Sequence, residues 1–438
     1  MSVDCLLKNG TVILDGLETV RSIAVKSGKI EGLYVPGSEP TAQEVIGCDG
    51  LYVLPGAIDI HVHLRDLGES HKEDYATGTM AAAAGGVTTV VDMPNSVPPT
   101  LKMNDLEEKI ANALEKRFVN VGFYAGIPKD PADFDSAMIP HILGMKEYPH
   151  SPLVKGAIST HERLCECMSI SCKHGLPLLF HPDSSKPGST AETLEAYFDL
   201  HKCESEVKSI QQFLDAQKEV GGHLHVCHVS CATGIRLIGK HRAEESLTAE
   251  TTPHHLLLSS NQFPNTDGAA KMLPPLRSSY DNRSLRLALR GQCAIDCIVS
   301  DHAPHTEQEK RAPFLRAASG IPGLETTVPL MLTEVLEGRL SWVDYLRCCC
   351  SAPAWVLQIP AKGVLSRHYD ADITVVEKTD AVIHGADFQS KAKITPFEGR
   401  HVQARPVMTI VGGETVYSHG KFLVGRGTAG TVPVRARR

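Results

Sequence analysis

A chain of 438 residues exceeds the usual size of one compact domain, so a large domain plus a smaller one, or an enlarged α/β barrel, is expected. Its 44 basic and 51 acidic residues leave a formal net charge of -7, with no long run of one sign before the short basic ending Arg435, Arg437 and Arg438, which argues against a nucleic-acid groove or a membrane surface as partner. The first ten residues carry Asp4 and Lys8 and lack the apolar core of a signal peptide, and no stretch reaches the roughly 18 apolar residues of a spanning helix, so a soluble cytoplasmic protein is expected.

From Cys5 to about Leu54 the chain reads as short strands broken by turns: Cys5 to Lys8, Thr11 to Leu14, the Asp15-Gly16 turn, Ser22 to Val25 and a hairpin signal at Gly28. This is half of a small β-domain, residues 1–54. Apolar β-rich runs then alternate with helical stretches over residues 55–363, the signature of parallel strands joined by crossover helices. Eight strands are predicted: Ala57 to His63, Val87 to Met93, Val119 to Ala125, a short one ending near Lys146, Leu176 to His181, His223 to His228, Leu247 to Thr252 and Ala294 to Asp301. Helices are predicted over His71 to Ala84, Asp105 to Lys116 and Ser205 to Glu219. Eight βα units in a row fit a (β/α)₈ barrel. Beyond Val364 the strand pattern returns, with Asp372 to Val376, Val402 to Ala404, Met408 to Val411 and the Gly412-Gly413 turn, so residues 364–438 are expected to pair with 1–54 as one β-sandwich. Thirteen cysteines lie inside apolar segments, Cys293, Cys297 and the run Cys348 to Cys350 among them, rather than at framework spacings; they read as reduced, mostly buried thiols.

Histidine is the unusual residue, at 21 copies. His61-Val62-His63 closes an apolar run, and alternate residues of a strand point to one side, so two imidazoles aim into one space. A lone buried histidine is usually a hydrogen-bonded core residue; a His-x-His pair ending a first barrel strand reads as a metal pair, with zinc the natural ion for nitrogen and oxygen ligands. His181, His228 and Asp301 close later strands, and all strand ends of this kind lie on the same face of a barrel, where active sites are built.

The segment from Pro55 to Arg65 resembles the first signature of dihydroorotases, and Ser300-Asp301-His302-Ala303-Pro304-His305 resembles their second. Met93-Pro94-Asn95-Ser96, Pro253-His254-His255-Leu256 and Gly320-Ile321-Pro322-Gly323-Leu324-Glu325 follow in the family's order, and the likeness covers nearly the whole chain. The resemblance implies an enzyme that opens and closes the ring linking N-carbamoyl-aspartate to dihydroorotate, using two zinc ions bridged by a carboxylated lysine. Lys146 sits where that lysine belongs. The implied ligands are His61, His63, Lys146 and Asp301 for one metal, and Lys146, His181 and His228 for the other; Asp301 is the implied proton carrier. Arg65, two residues past His63, is expected to grip the substrate carboxylate, with Asn95, His305, Leu273 and Ser319 as further substrate contacts. His254 and His302 are expected behind the ligands. Leu273 stands where many members have a polar residue, so its contact falls to backbone groups, and Arg65-Asp66-Leu67-Gly68 replaces a commoner Arg-Glu-Pro-Gly. A small-molecule substrate, a homodimer and association with other pyrimidine-pathway enzymes are the implied partners. Two other readings stay open: a cyclic amidohydrolase acting on hydantoins, dihydropyrimidines or allantoin, whose substrates lack the ring carboxylate, and a scaffold that has lost catalysis.

Overall fold

The computed structural model describes residues 2–149, 151–157, 159–185, 190–242, 246–291 and 294–436. The chain opens with β1 (Val3–Leu14), β2 (Leu17–Lys26), β3 (Lys29–Tyr34), β4 (Ala42–Gly47) and β5 (Tyr52–Pro55). There follow β6 (Ala57–Val62), β7 (Val87–Asp92), β8 (Asn120–Gly126), β9 (Gly144–Glu147), β10 (Pro177–Phe180), β11 (His223–Val226), β12 (Leu247–Thr251) and β13 (Cys297–Ile298). The last four are β14 (Ile373–Val382), β15 (His401–Val411), β16 (Glu414–Ser418) and β17 (Lys421–Phe422).

Strands β6 to β13 pair side by side in chain order, every pair parallel. The two edges meet: Val62 bridges His302 in parallel, and His63 N donates to His302 O at 2.8 Å. Asp59 reinforces the seam, its carboxylate accepting from Ser300 N at 3.0 Å and His61 N at 3.1 Å. The expected eight-stranded barrel is therefore closed, and each expected strand matches an observed one to within a few residues. Inside, Ile58, Ile60, Val91, Tyr124, Leu179 and Val299 form one buried cluster, stoppered at one end by Ala354, Val356, Leu357 and Ile359. Each such side chain fully removed from water contributes roughly 1.5–3 kcal/mol, so this layer is a packed core and not a channel.

The helices lie between successive strands. One expected from His71 begins only at Tyr75, because Asp74 caps it, accepting from Thr77 N at 2.8 Å. Those at Met103–Lys116 and Cys203–Val220 extend two residues beyond the expected starts.

The ends of the chain share one nine-stranded mixed sheet, joined where β14 runs antiparallel to β5. Its two distant hairpins come together: a Cβ on Gly28, at the β2–β3 turn, would lie 2.8 Å from Gly412 O at the β15–β16 turn. The sheet thus curls over a core of Leu7, Val12, Ile23, Val25, Val53, Ile373, Val375 and Ile410, so the two ends of the chain pair as expected, in one continuous mixed sheet. Cys297 and Cys348 to Cys350 are buried free thiols, as expected, and Cys293 lies outside the described residues. Among the described residues no helix is long and apolar enough to cross a membrane.

Candidate metal centre and substrate mouth

Strict alternation would put Ile60 and His61 on opposite faces of β6. Both point into the barrel, because the β6–β7 register slips between Asp59 and Val62. Below the slip Ile58 and Ile60 face the apolar interior; above it His61 and His63 do, while Val62 and Leu64 pack outward against the helices. Each histidine is oriented from behind. His61 Nδ1 hydrogen-bonds the Glu250 carboxylate, and His63 Nδ1 donates to Asn95 Oδ1 at 2.7 Å. Those partners fix the tautomers so that both Nε2 atoms turn to the centre, 3.5 and 3.2 Å from Asp301 Oδ1.

The other expected ligands converge on the same point. The His228 ring stands 5.1 Å from that of His61 and 4.6 Å from that of His181, with His181 Nδ1 2.9 Å from His228 Nε2. Donor atoms of His61, His228 and Asp301 lie within 4.8 Å of one another. Burial holds the imidazoles of His63 and His228 below their ordinary pKa, well below for His228, and takes His254 down to about 4. Neutral imidazole is the form that ligates a cation. Burial alone would raise the Asp301 carboxyl, but His61, His63 and His254 hold it below the usual carboxylate range, so it stands ionised. His228 Nδ1 is buried without a hydrogen-bond partner. An orphaned nitrogen, imidazoles held toward their neutral form and an ionised carboxylate fit a divalent cation.

Lys146, on β9, is completely buried beneath these rings. Its Nζ lies 2.7 Å from Cys227 Sγ and 5.2 Å from the centre of the Tyr148 ring, and among the described residues it forms no salt bridge. All six expected ligands therefore occupy one end of the barrel.

Arg65 stands past the end of β6 rather than on it. Arg65, Asp66 and Leu67 all have positive φ, at 58, 43 and 46°, a conformation costing about 1–3 kcal/mol at each non-glycine. Surrounding bonds hold this turn: Asp92 Oδ1 accepts from Leu64 N at 2.8 Å, and the Asp66 carboxylate takes Leu67 N, Tyr75 N and Lys116 Nζ. The turn delivers the Arg65 guanidinium, nine-tenths buried, to a place 3.7 Å from Glu69 Oε2 and 3.4 Å from His305 Nε2, with Nε lacking a partner. His305 Nε2 donates to Ser319 O at 3.1 Å, and Ser319 Oγ is 2.9 Å from Tyr197 OH. Arg65, His305 and Ser319 thus share one wall. Leu273 is half-buried against the apolar core; the next residue, Pro274, accepts at its carbonyl from His255 Nε2 at 3.1 Å. Asn95 uses its side-chain oxygen on His63.

Three residues behind the site had no clear signal in the sequence. Glu250 takes His61 on one oxygen and His225 Nε2, at 3.0 Å, on the other; burial would raise its carboxyl, and those two histidines hold it low. Cys227 is the neighbour of Lys146. Lys310 donates to the carbonyls of Lys271, Ala318 and Gly320 at 2.8 to 3.0 Å, which pins the Ser319 turn. A strand-end glutamate followed by Pro253-His254-His255 was the only available hint for Glu250.

A family model described as "Amidohydrolase family" matches residues 52–416. The chain belongs to the amidohydrolase family. Within that family it is similar to the dihydroorotase of Methanosphaera stadtmanae, 34% identical over 83% of this chain and 85% of that one. The dihydroorotase of Halobacterium salinarum is 35% identical over 93% and 95%, and that of Lactobacillus gasseri 33% over 95% and 99%. These relatives place the amidohydrolase in the dihydroorotase branch. Among solved structures, L-hydantoinase (dihydropyrimidinase) from Arthrobacter aurescens superposes with a TM-score of 0.88 at 28% identity, covering 99% of this chain and 100% of that one. Dihydropyrimidinase from Brevibacillus agri, at 22% identity, TM-score 0.84 and 99% coverage of each chain, shares the fold.

Proposed function

We propose that the chain is a dihydroorotase, interconverting (S)-dihydroorotate and N-carbamoyl-L-aspartate by reversible hydrolysis of a cyclic amide in pyrimidine biosynthesis. Arg65 carries the substrate assignment. A guanidinium nine-tenths buried, with Nε unpartnered and its terminal nitrogens only loosely paired, 3.7 Å from Glu69 Oε2 and 3.4 Å from His305 Nε2, keeps donor capacity in a fork. A carboxylate fills such a fork with two short hydrogen bonds. Hydantoins and dihydropyrimidines carry no ring carboxylate and would leave Nε buried and unpaired, so Arg65 favours the dihydroorotate skeleton over theirs.

The metal assignment is a zinc pair: His61, His63 and Asp301 would hold one ion, His181 and His228 the other, with a carboxylated Lys146 shared between them. When bound, such ions polarise a carbonyl and lower the pKa of water toward neutrality. Lys146 suits the bridging role because an ammonium buried without an anion is unfavourable, and addition of carbon dioxide to its amine exchanges that charge for a negative one. Asp301, ionised and aimed between His61 and His63, carries a proton from the attacking water oxygen to the leaving ring nitrogen, and in the reverse direction takes it back. Arg65 sets the substrate carboxylate, His305 and Ser319 complete that wall, Asn95 orients His63, and Leu273 offers backbone groups. Following the resemblance, we also assign the enzyme to the cytoplasm as a homodimer able to associate with other enzymes of its pathway.

The test is cyclisation of carbamoyl-aspartate measured beside hydrolysis of hydantoin and dihydrouracil, with zinc quantified before and after chelation. The expected result is turnover of the carboxylate-bearing substrate alone, lost with the metal. Faster turnover of the neutral rings would overturn the assignment.

A further inference from the structure

We propose that His161, Cys165 and Glu219 form a second, external metal site for a borderline dication such as zinc, separate from the barrel mouth. His161 and Cys165 are one turn apart on the helix His161–Lys173, so they share a face, and Glu219 comes from the last turn of the neighbouring helix Cys203–Val220. His161 Nε2 is 3.0 Å from Glu219 Oε2 and 3.5 Å from Cys165 Sγ, and the three donor atoms all lie within 4.8 Å of one another. Bonds of about 2.0–2.3 Å at tetrahedral angles separate zinc ligands by roughly 3.3–3.6 Å. His161 Nε2 therefore stands within a few tenths of an ångström of the required separation from each of the other two donors, and Cys165 and Glu219 lie within 4.8 Å of one another.

The donor types decide the class of ion. Imidazole, thiolate and carboxylate together suit zinc or cobalt, whereas magnesium and calcium take oxygen ligands. The His161 and Glu219 side chains are more than half exposed, which leaves a fourth position open to water and a path for the ion. Burial and the carboxylates of Glu219 and Glu166 hold the Cys165 thiol above its ordinary pKa, so an ion binding here displaces its proton. None of the three donors belongs to the barrel-mouth cluster; Arg163, on the same helix, turns the other way to pair with Glu147. An ion here would tie the helix after β9 to the helix before β11.

The experiment titrates Co2+, then Zn2+, into the purified holoenzyme with its resident metal in place. Wild type should develop thiolate-to-cobalt charge-transfer absorption saturating at one added equivalent, bleached by zinc, and added zinc should raise its melting temperature. Cys165→Ser should abolish the absorption and the zinc-induced rise, while Cys172→Ser, on the same helix, should keep both. His161→Ala and Glu219→Gln should each weaken the added equivalent at least tenfold, and turnover should be unchanged in every variant. Absence of the absorption in wild type, or its persistence in Cys165→Ser, would overturn the proposal.

Discussion

The two ends of the barrel are built from the same eight strands and obey opposite rules. At the stoppered end the interior is Ile58, Ile60, Val91, Leu179 and Val299, apolar and closely packed. At the open end it is His61, His63, Lys146, His181, His228, Glu250 and Asp301, with an orphaned nitrogen and a buried lysine that forms no salt bridge among the described residues. Left-handed residues gather at the open end, where His228 and Asp301 have φ of 30 and 47° and Arg65 to Leu67 are positive as well, while the stopper carries one at Gln358, with φ of 55°. One end contributes stability, and the other is held in place by it while making poor use of its own contacts.

That division is broken most directly at Asp301. Asp301→Ala removes the anion shared by His61 and His63 but no apolar contact of the lower layer. Turnover should fall about 10²- to 10⁴-fold, the scale of a lost acid-base group, while the thermal unfolding profile of metal-free protein stays close to wild type. Retention of a tenth of the activity would remove Asp301 from proton transfer. Arg65→Met comes next. It should lower kcat/KM for dihydroorotate about 100-fold, mostly through KM, as expected when a charged hydrogen-bonding partner of a buried ligand is lost, and zinc content should not change. An affinity within twofold of wild type would show that the carboxylate is gripped elsewhere.

Glu250→Gln sharpens the comparison from behind the ligands. It keeps the shape of the side chain but weakens the hold on His61 Nδ1, and loss of such a partner weakens metal binding about 10- to 100-fold. Competition with a chelator would measure it. Unchanged affinity would make Glu250 a structural acid only.

How much of this was legible depended on where a residue's signal lay. His61, His63, His181, His228 and Asp301 each close an apolar run, so strand period and the one-sided geometry of a barrel were enough to gather them. Lys146 had no such signal, since a lysine ending a short strand looks like any solvated lysine, and only the resemblance to dihydroorotases singled it out. Glu250 was overlooked for the same reason. The left-handed turn at Arg65 was illegible because non-glycine residues rarely adopt it and bonds from distant Asp92 and Lys116 impose it. The slip in β6 was hidden as well: the run Ile58-Asp59-Ile60-His61 looks like regular alternation, and only the pairing with β7 reveals that inward-facing positions change parity. At the ends of the chain, turn residues misled in the other direction. Cys5 to Lys8 and Thr11 to Leu14 are one strand with an irregularity near Gly10, where Val53 approaches too closely for any side chain.

The smallest expected effect lies at the stoppered end and tests the other half of the comparison. Ile58 is 2% exposed and sits three residues before His61 on the same strand, so its substitution asks whether small packing changes below are felt above. Ile58→Val deletes one methylene from a layer that cannot fully close around the gap, which costs about 0.5–1.5 kcal/mol of stability. Denaturant unfolding should register that loss. Turnover per folded molecule and zinc content should stay at wild-type values, because Ile58 lies below the β6 slip while the ligands above it are fixed by Glu250, Asn95 and Asp301. If activity fell by tenfold or more while the fold held, the lower layer would be setting ligand positions directly, and the two ends of the barrel could not be treated as separate in function.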